Sequence, residues 1–186
     1  MKKMTTRELT LAALFVAVTA VLAQVVVPMP LVPFNLSVLA VFLCGNLLSK
    51  GAAALSMVCY LLLGAAGVPV FAQFTAGPSV LFGVTGGYLV AYPMTAWLTA
   101  LLIERWAGDS YWKRMGAMAA ALLPLYLLGT AWFAIYLRQG FVEAAMAACV
   151  PFIPFDLCKG LLAGYVALAV QRRMGSGGAR RSSEAA

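Results

Sequence analysis

"VPFIPFDLCK", residues Val150–Lys159, sets one acid and one base inside a segment whose other side chains suit a bilayer. Asp156 and Lys159 are three residues apart, so on a helix they stack one turn apart on the same side. A charge at the bilayer centre costs roughly 2.5–3.5 kcal/mol on insertion scales, so chains rarely keep one without a use. Two uses compete. The pair can be structural, neutralising itself and pinning helix packing, or it can be a polar patch facing a substrate cavity. Intramembrane ionisable groups mark ligand or ion pathways by default, which favours the cavity.

The rest of the chain supports a membrane setting for that pair. Its 186 residues amount to one domain, 63% hydrophobic and only 10% charged, which is too apolar for an ordinary soluble domain. Only helices or closed barrels satisfy their backbone in lipid. The apolar runs are continuous, without the period-2 alternation of barrel strands, so the fold class is an all-α integral membrane protein. The formal charge of +7 sits at the ends and in short loops, as orientation in a membrane requires, and implies no nucleic acid partner. Histidine is absent, which removes the commonest general base and metal ligand together. Cys44, Cys59, Cys149 and Cys158 lie in apolar segments without C-x-x-C spacing and read as small buried hydrophobes, with no metal site and no disulfide. No G-x-x-x-x-G-K-[ST] run occurs, so the chain has no P-loop for nucleotide hydrolysis. Nothing organises a nucleophile beside Asp156, so no catalytic residue is assigned. Binding or transport is the better class, with a membrane enzyme using Asp156 and Lys159 as the alternative.

Six spans follow from the pattern. Residues 1–8 are a polar N-terminus with Lys2, Lys3 and Arg7, and Leu9–Val27 is a charge-free first helix of the length a span needs, about 17–25 residues. Ala13 and Ala17 form a small-x-x-x-small pair that permits close helix contact. Pro28, Pro30 and Pro33 make an irregular connection, and two short helices meet at Ser49-Lys50-Gly51. Gly64–Thr85, "GAAGVPVFAQFTAGPSVLFGVT", is uncharged and rich in Gly and Pro, ending at Gly86-Gly87-Tyr88. Backbone this irregular at membrane depth must be buried by protein or line a cavity. A fourth helix runs from about Val80 to Ile103 with a kink at Pro93, a fifth over Met115–Leu137, and a sixth over Ala144–Val170, interrupted by Pro151 and Pro154. Gly160 and Gly164 give that helix a close-packing face. Residues 9–170 are thus the membrane domain, and 171–186 a basic, Gly/Ser-rich tail expected to be disordered.

Charge sets the orientation. With six spans and both termini cytoplasmic, only Arg138 of the 13 Lys and Arg falls in an outer loop, and only Lys159 within a span. That asymmetry is the positive-inside bias. Fusing helices two and three would move Arg105, Lys113 and Arg114 outside. The irregular uncharged stretches and the turn before Asp156 then share the outer face, the layout of an outward-facing ligand pocket.

Three blocks, "VPMPLVPFNLSVLAVFLCGNLLSKGAAALSMVCYLLLGAAGVPVFAQFTAG", "TGGYL" and "PFIPFDLCKGLLA", occur in an order that resembles the biotin-specific substrate-binding (S) component of energy-coupling factor (ECF) vitamin transporters. The likeness spans about Ala12–Val170. It implies a six-helix protein of a prokaryotic plasma membrane that holds biotin in an outward-facing pocket. Its partners would be a transmembrane coupling (T) subunit, contacted through Ala13 and Ala17, and two ATPase subunits that use the ATP. The chain itself would need no cofactor. The resemblance places Thr75, Gly77 and Tyr88 beside the vitamin on one side, Asp156 and Lys159 on the other. The family's loop reads closer to "FSGGLG" where this chain has Phe74–Ser79, and its usual Pro and Thr are Val84 and Asn35 here. An S component for another small vitamin is the alternative within the same class.

For biotin the chemistry is coherent. Asp156 can accept from a ureido N–H, and Lys159 can donate to the ureido oxygen or the carboxylate. Gly86 and Gly87 would let backbone approach the ligand closely. Phe71, Phe74 and Tyr88 could pack against its apolar ring.

Overall fold

The computed structural model describes residues 4–27 and 34–184, with side chains described as far as Arg173. Lys2, Lys3, Pro28, Pro30 and Pro33 lie outside the described residues. Helix α1 (Thr6–Ala23) starts at a capping box: the Glu8 N–H donates to the Thr5 hydroxyl at 3.2 Å and the Thr5 N–H to the Glu8 carboxylate at 2.9 Å, satisfying two otherwise orphaned donors. It ends where three β-branched valines begin. Two of them form β1 (Val26–Val27), which pairs antiparallel with β2 (Phe34–Asn35), Val26 opposite Asn35 and Val27 opposite Phe34. The sequence pattern predicts helix through Val27; β-branched side chains favour the extended pairing instead.

α2 (Ser37–Leu47) and α3 (Lys50–Ala65) are separate helices, as the Ser49-Lys50-Gly51 break predicts. Glu8 reaches across to accept from the Ser49 hydroxyl at 2.8 Å, and Glu104 caps the start of α3 by accepting from the Lys50 N–H at 3.2 Å and its ammonium at 3.1 Å. The predicted fourth helix is broken: a short α4 (Pro78–Leu81) is followed by α5 (Gly86–Leu102), continuous through Pro93, and a π turn at Ile103–Ala107. Gly86 packs against the Leu81 carbonyl, an approach that leaves no room for a Cβ. α6 spans Tyr111–Leu137. The predicted sixth helix is α7 (Phe141–Ala148), then a 3-10 turn at Val150–Phe152, then α8 (Ile153–Glu184). Pro151 sits where it removes a ladder hydrogen bond, which accounts for the break. A disordered tail is expected from Gln171; the described backbone is helical to Glu184, and Gln171, Arg172, Arg173 and Met174 are good helix formers that carry α8 past the apolar run.

Among the described residues, four stretches are long and apolar enough to cross a membrane: Thr6–Ala23, Gly86–Ala107, Tyr111–Leu137 and Phe141–Arg173. α2 and α3 are apolar but shorter. α5 packs on α3 and α6, α2 packs on α5 and α8, and α1 lies against α2 and α3. Phe42, Met57, Tyr60, Phe71, Met118 and Leu125 fill the core they share. Buried hydroxyls are satisfied within it: Thr19, Thr95 and Thr99 donate to carbonyls one turn back, and Ser56 donates across to the Ala12 carbonyl at 2.8 Å. An apolar interior requires that. All four cysteines are free thiols; Cys44 is buried, but Cys158 is exposed on α8, not the buried hydrophobe its sequence context suggests.

Several close contacts in the core admit only glycine, Gly64 among them. Gly64 near the end of α3 faces the Phe71 ring so closely that a Cβ would overlap it. Gly64→Val is expected to destabilise the protein by about 1–3 kcal/mol through overpacking, read as a lower unfolding temperature in detergent.

Candidate functional site

The helix directions put Glu8, Ser49, Lys50 and Glu104 at one end of the bundle. At the other end, where α1 and α3 finish and α5 and α8 begin, a cavity of about 300 Å³ opens among the helices. That lies within the usual range for small-molecule sites, at its lower end. Its walls come from β2 and α2, the Phe71–Thr75 segment, α5, α6 and α8.

Asp156 lies in the first turn of α8, where free backbone N–H groups and the helix dipole favour an anion. One turn further, the Lys159 ammonium donates to Asp156 Oδ1 at 2.7 Å. The Tyr126 hydroxyl of α6 donates to Asp156 Oδ2 at 2.6 Å, a length typical of a bond to an ionised carboxylate. Asp156 and Lys159 are only 4% and 6% exposed, yet both line the cavity. The pair therefore serves as an internal ion pair and a cavity wall at once. Each carboxylate oxygen has a second lone pair, and the ammonium has further protons, so both can still bind a ligand.

An aromatic wall adjoins the pair. The Lys159 ammonium sits 4.2 Å from the Phe34 ring centroid, within cation–π range. Phe34 packs in turn on Phe152 and Phe155, with centroids 6.5 and 5.1 Å away. Opposite, Tyr88 of α5 leans over Gly129 of α6 and donates from its hydroxyl to the Ala148 carbonyl at 2.8 Å.

Of the residues the sequence singles out, Asp156, Lys159, Thr75, Tyr88 and Phe71 all line this cavity. Gly77, Gly86, Gly87 and Phe74 do not. Gly86 and Gly87 pack against Leu81 and Trp132 and serve helix packing. Gly77 has φ +95 and immediately precedes α4 as its N-cap. Phe74 is 70% exposed and points away from the core. Ala13 and Ala17 are exposed on α1, and Ala13 borders a shallow apolar hollow between α1 and α3 with Leu9, Cys59 and Leu62.

The BioY family profile matches residues 1–176. The chain belongs to the BioY family. It is 37% identical over 166 residues to the biotin transporter BioY of Thermotoga maritima, covering 89% of this chain and 96% of that one. The probable biotin transporter BioY of Pyrococcus horikoshii is 36% identical over 168 residues, 90% and 98% of the two chains. Among solved structures, the S-component for biotin from an ECF-type ABC transporter superposes with a TM-score of 0.84 at 20% identity, covering 91% of this chain and 95% of that one. That likeness establishes the fold. The family is one of membrane transporters, which removes the enzyme alternative.

The BioY-family cavity also contains residues that the motifs leave unnamed. Tyr126, Tyr92, Tyr60 and Phe34 are wall residues. Tyr88 and Tyr92 stand four apart, and that i, i+4 repeat on an apolar helix is a signal the sequence carries. Tyr126 has no comparable signal, because its role depends on Asp156, thirty residues away in the chain.

Proposed function

We propose that the chain is the biotin-binding S component of an ECF-type transporter, delivering biotin across the membrane when joined to a T subunit and two ATPase subunits. Its membrane domain is six-helical, with α7 and α8 together as the sixth span and both termini cytoplasmic. The charge asymmetry supports that orientation, and it turns the cavity outward. The observation that carries the reading is the Asp156–Lys159 pair set in a cavity wall of a BioY-family fold.

In the site, Asp156 accepts from a ureido N–H of biotin while Lys159 donates to one of its oxygens. Phe34, Phe71 and Tyr88 pack the apolar bicycle, and Thr75 offers its hydroxyl. Ala13 and Ala17 form the face that meets the T subunit.

Equilibrium binding of biotin to the purified chain in detergent, without partners or ATP, tests the assignment. Saturable binding near one to one, with the vitamin recovered unchanged, is expected. A monodisperse, folded sample that binds none overturns it. Tyr126→Phe removes the hydroxyl on Asp156 Oδ2 and is expected to weaken biotin about tenfold, the effect of losing a hydrogen bond to a charged group. Titration calorimetry of the variant checks this.

A further inference from the structure

Gln24, just past α1, makes more cross-element bonds than any motif residue. Its Nε2 donates to the Ala20 and Phe71 carbonyls, both at 3.0 Å, with the Val70 carbonyl at 3.4 Å. Its Oε1 accepts from the Phe74 N–H at 2.8 Å. The network fixes the amide's orientation: turned over, its oxygen would face three carbonyl oxygens.

The segment it holds is unusual. Gln73 and Phe74 both take left-handed backbone, with φ 58 and 55, a conformation that side chains disfavour. Consecutive strained residues persist only where the surroundings over-determine them. Phe71 is anchored independently, buried edge-on against Tyr60 at a centroid distance of 5.5 Å, and the Tyr60 hydroxyl donates to the Val70 carbonyl at 3.0 Å. The strained half is closed on itself by the Phe71 N–H to the Thr75 carbonyl at 3.1 Å and by the Thr75 N–H and hydroxyl to the Ala72 carbonyl at 3.3 and 2.9 Å, and it is tied to α3 by the Gly77 N–H to the Gly64 carbonyl at 2.8 Å. The Phe74 N–H bonds to a side chain from α1's end, fifty residues away. Phe71, Ala72, Gln73 and Thr75 are cavity wall; Gln24 is not.

We propose that Gln24 is a positioning residue for ligand retention: its carboxamide locks Val70–Thr75 in the shape that walls the cavity, without touching the ligand. This rests on reading the cavity as the biotin site. Because α1 also carries the exposed Ala13 and Ala17 face, Gln24 joins that helix directly to the cavity wall.

The test compares wild type with Gln24→Met, which keeps the chain length and loses every polar contact. Two quantities are read: amide hydrogen exchange of residues 70–77 without ligand, and the biotin dissociation rate. Faster exchange and about tenfold faster release are expected, with little change in association, since such effects fall mainly on dissociation. Phe74→Gly supplies the control, because glycine accepts left-handed backbone without strain. In that background Gln24→Met should accelerate release much less, whereas a merely structural glutamine would give additive effects. Unchanged exchange, unchanged release or strict additivity overturns the proposal. Should Gln24→Met fail to fold, Gln24→Glu retains the acceptor for Phe74 but sets oxygen against the Val70 and Phe71 carbonyls, and the same acceleration is expected. Wild type that retains no biotin would sink the biotin reading, and the exchange comparison alone then decides whether Gln24 holds the segment.

Discussion

Asp156→Asn is expected to weaken biotin at least about 100-fold while the protein still inserts and folds. The amide keeps the shape of the carboxylate but not its charge. Lys159, 6% exposed, then loses its counter-ion, and the Tyr126 hydroxyl loses an ionised acceptor. Each hydrogen bond to a charged group is worth about 1.5–3 kcal/mol, and stranding one member of a buried pair costs about 3–5 kcal/mol. Part of that loss falls on the fold, so the unfolding temperature of the ligand-free protein should drop as well. Calorimetric titration with a thermal melt on the same sample measures both. Normal binding by the variant would reduce the pair to a structural role.

Replacing both charges separates the two roles. Asp156→Leu with Lys159→Met is expected to restore an unfolding temperature close to wild type, because apolar side chains of similar volume often match or exceed a buried ion pair in stability. Biotin binding should stay absent, since neither the acceptor nor the donor returns. Recovery of stability without recovery of binding shows that the pair is retained for the ligand. If binding returned with stability, recognition would have to lie in the aromatic wall. The double variant thus has the largest expected effect on ligand and the smallest on fold.

The parts of this architecture that were legible in sequence are those set by local chemistry. The Ser49-Lys50-Gly51 break divides α2 from α3 because a lysine there cannot sit comfortably at mid-membrane. Asp156 and Lys159 stand out because charge is scarce in an apolar segment. The interruptions were harder to place. Gly83 and Gly86 can belong to a helix or break it, and only the approach to the Leu81 carbonyl decides for a break. Gly86-Gly87 reads equally well as a ligand cradle or as helix packing, and the Trp132 side chain packs where a Cβ on Gly87 would lie. The two-residue pairing of Val26–Val27 with Phe34–Asn35 is too short to show alternation. Tyr126 and Gln24 were illegible for a shared reason: a polar group in an apolar run acquires its meaning from a partner on another element.

The Asp156–Lys159 bond has a consequence for how the chain is made. Both ends of it belong to one turn of α8, so it can close as soon as that turn forms, whether or not α8 has yet docked on α6 and Tyr126. Its two charges are therefore matched within the helix itself, before any neighbouring helix is needed to pair them. Had the acid and base been placed on separate helices, each would have crossed the bilayer's edge alone, at roughly 2.5–3.5 kcal/mol apiece. A pair built within one turn is matched by that turn alone, whatever the state of the rest of its pocket.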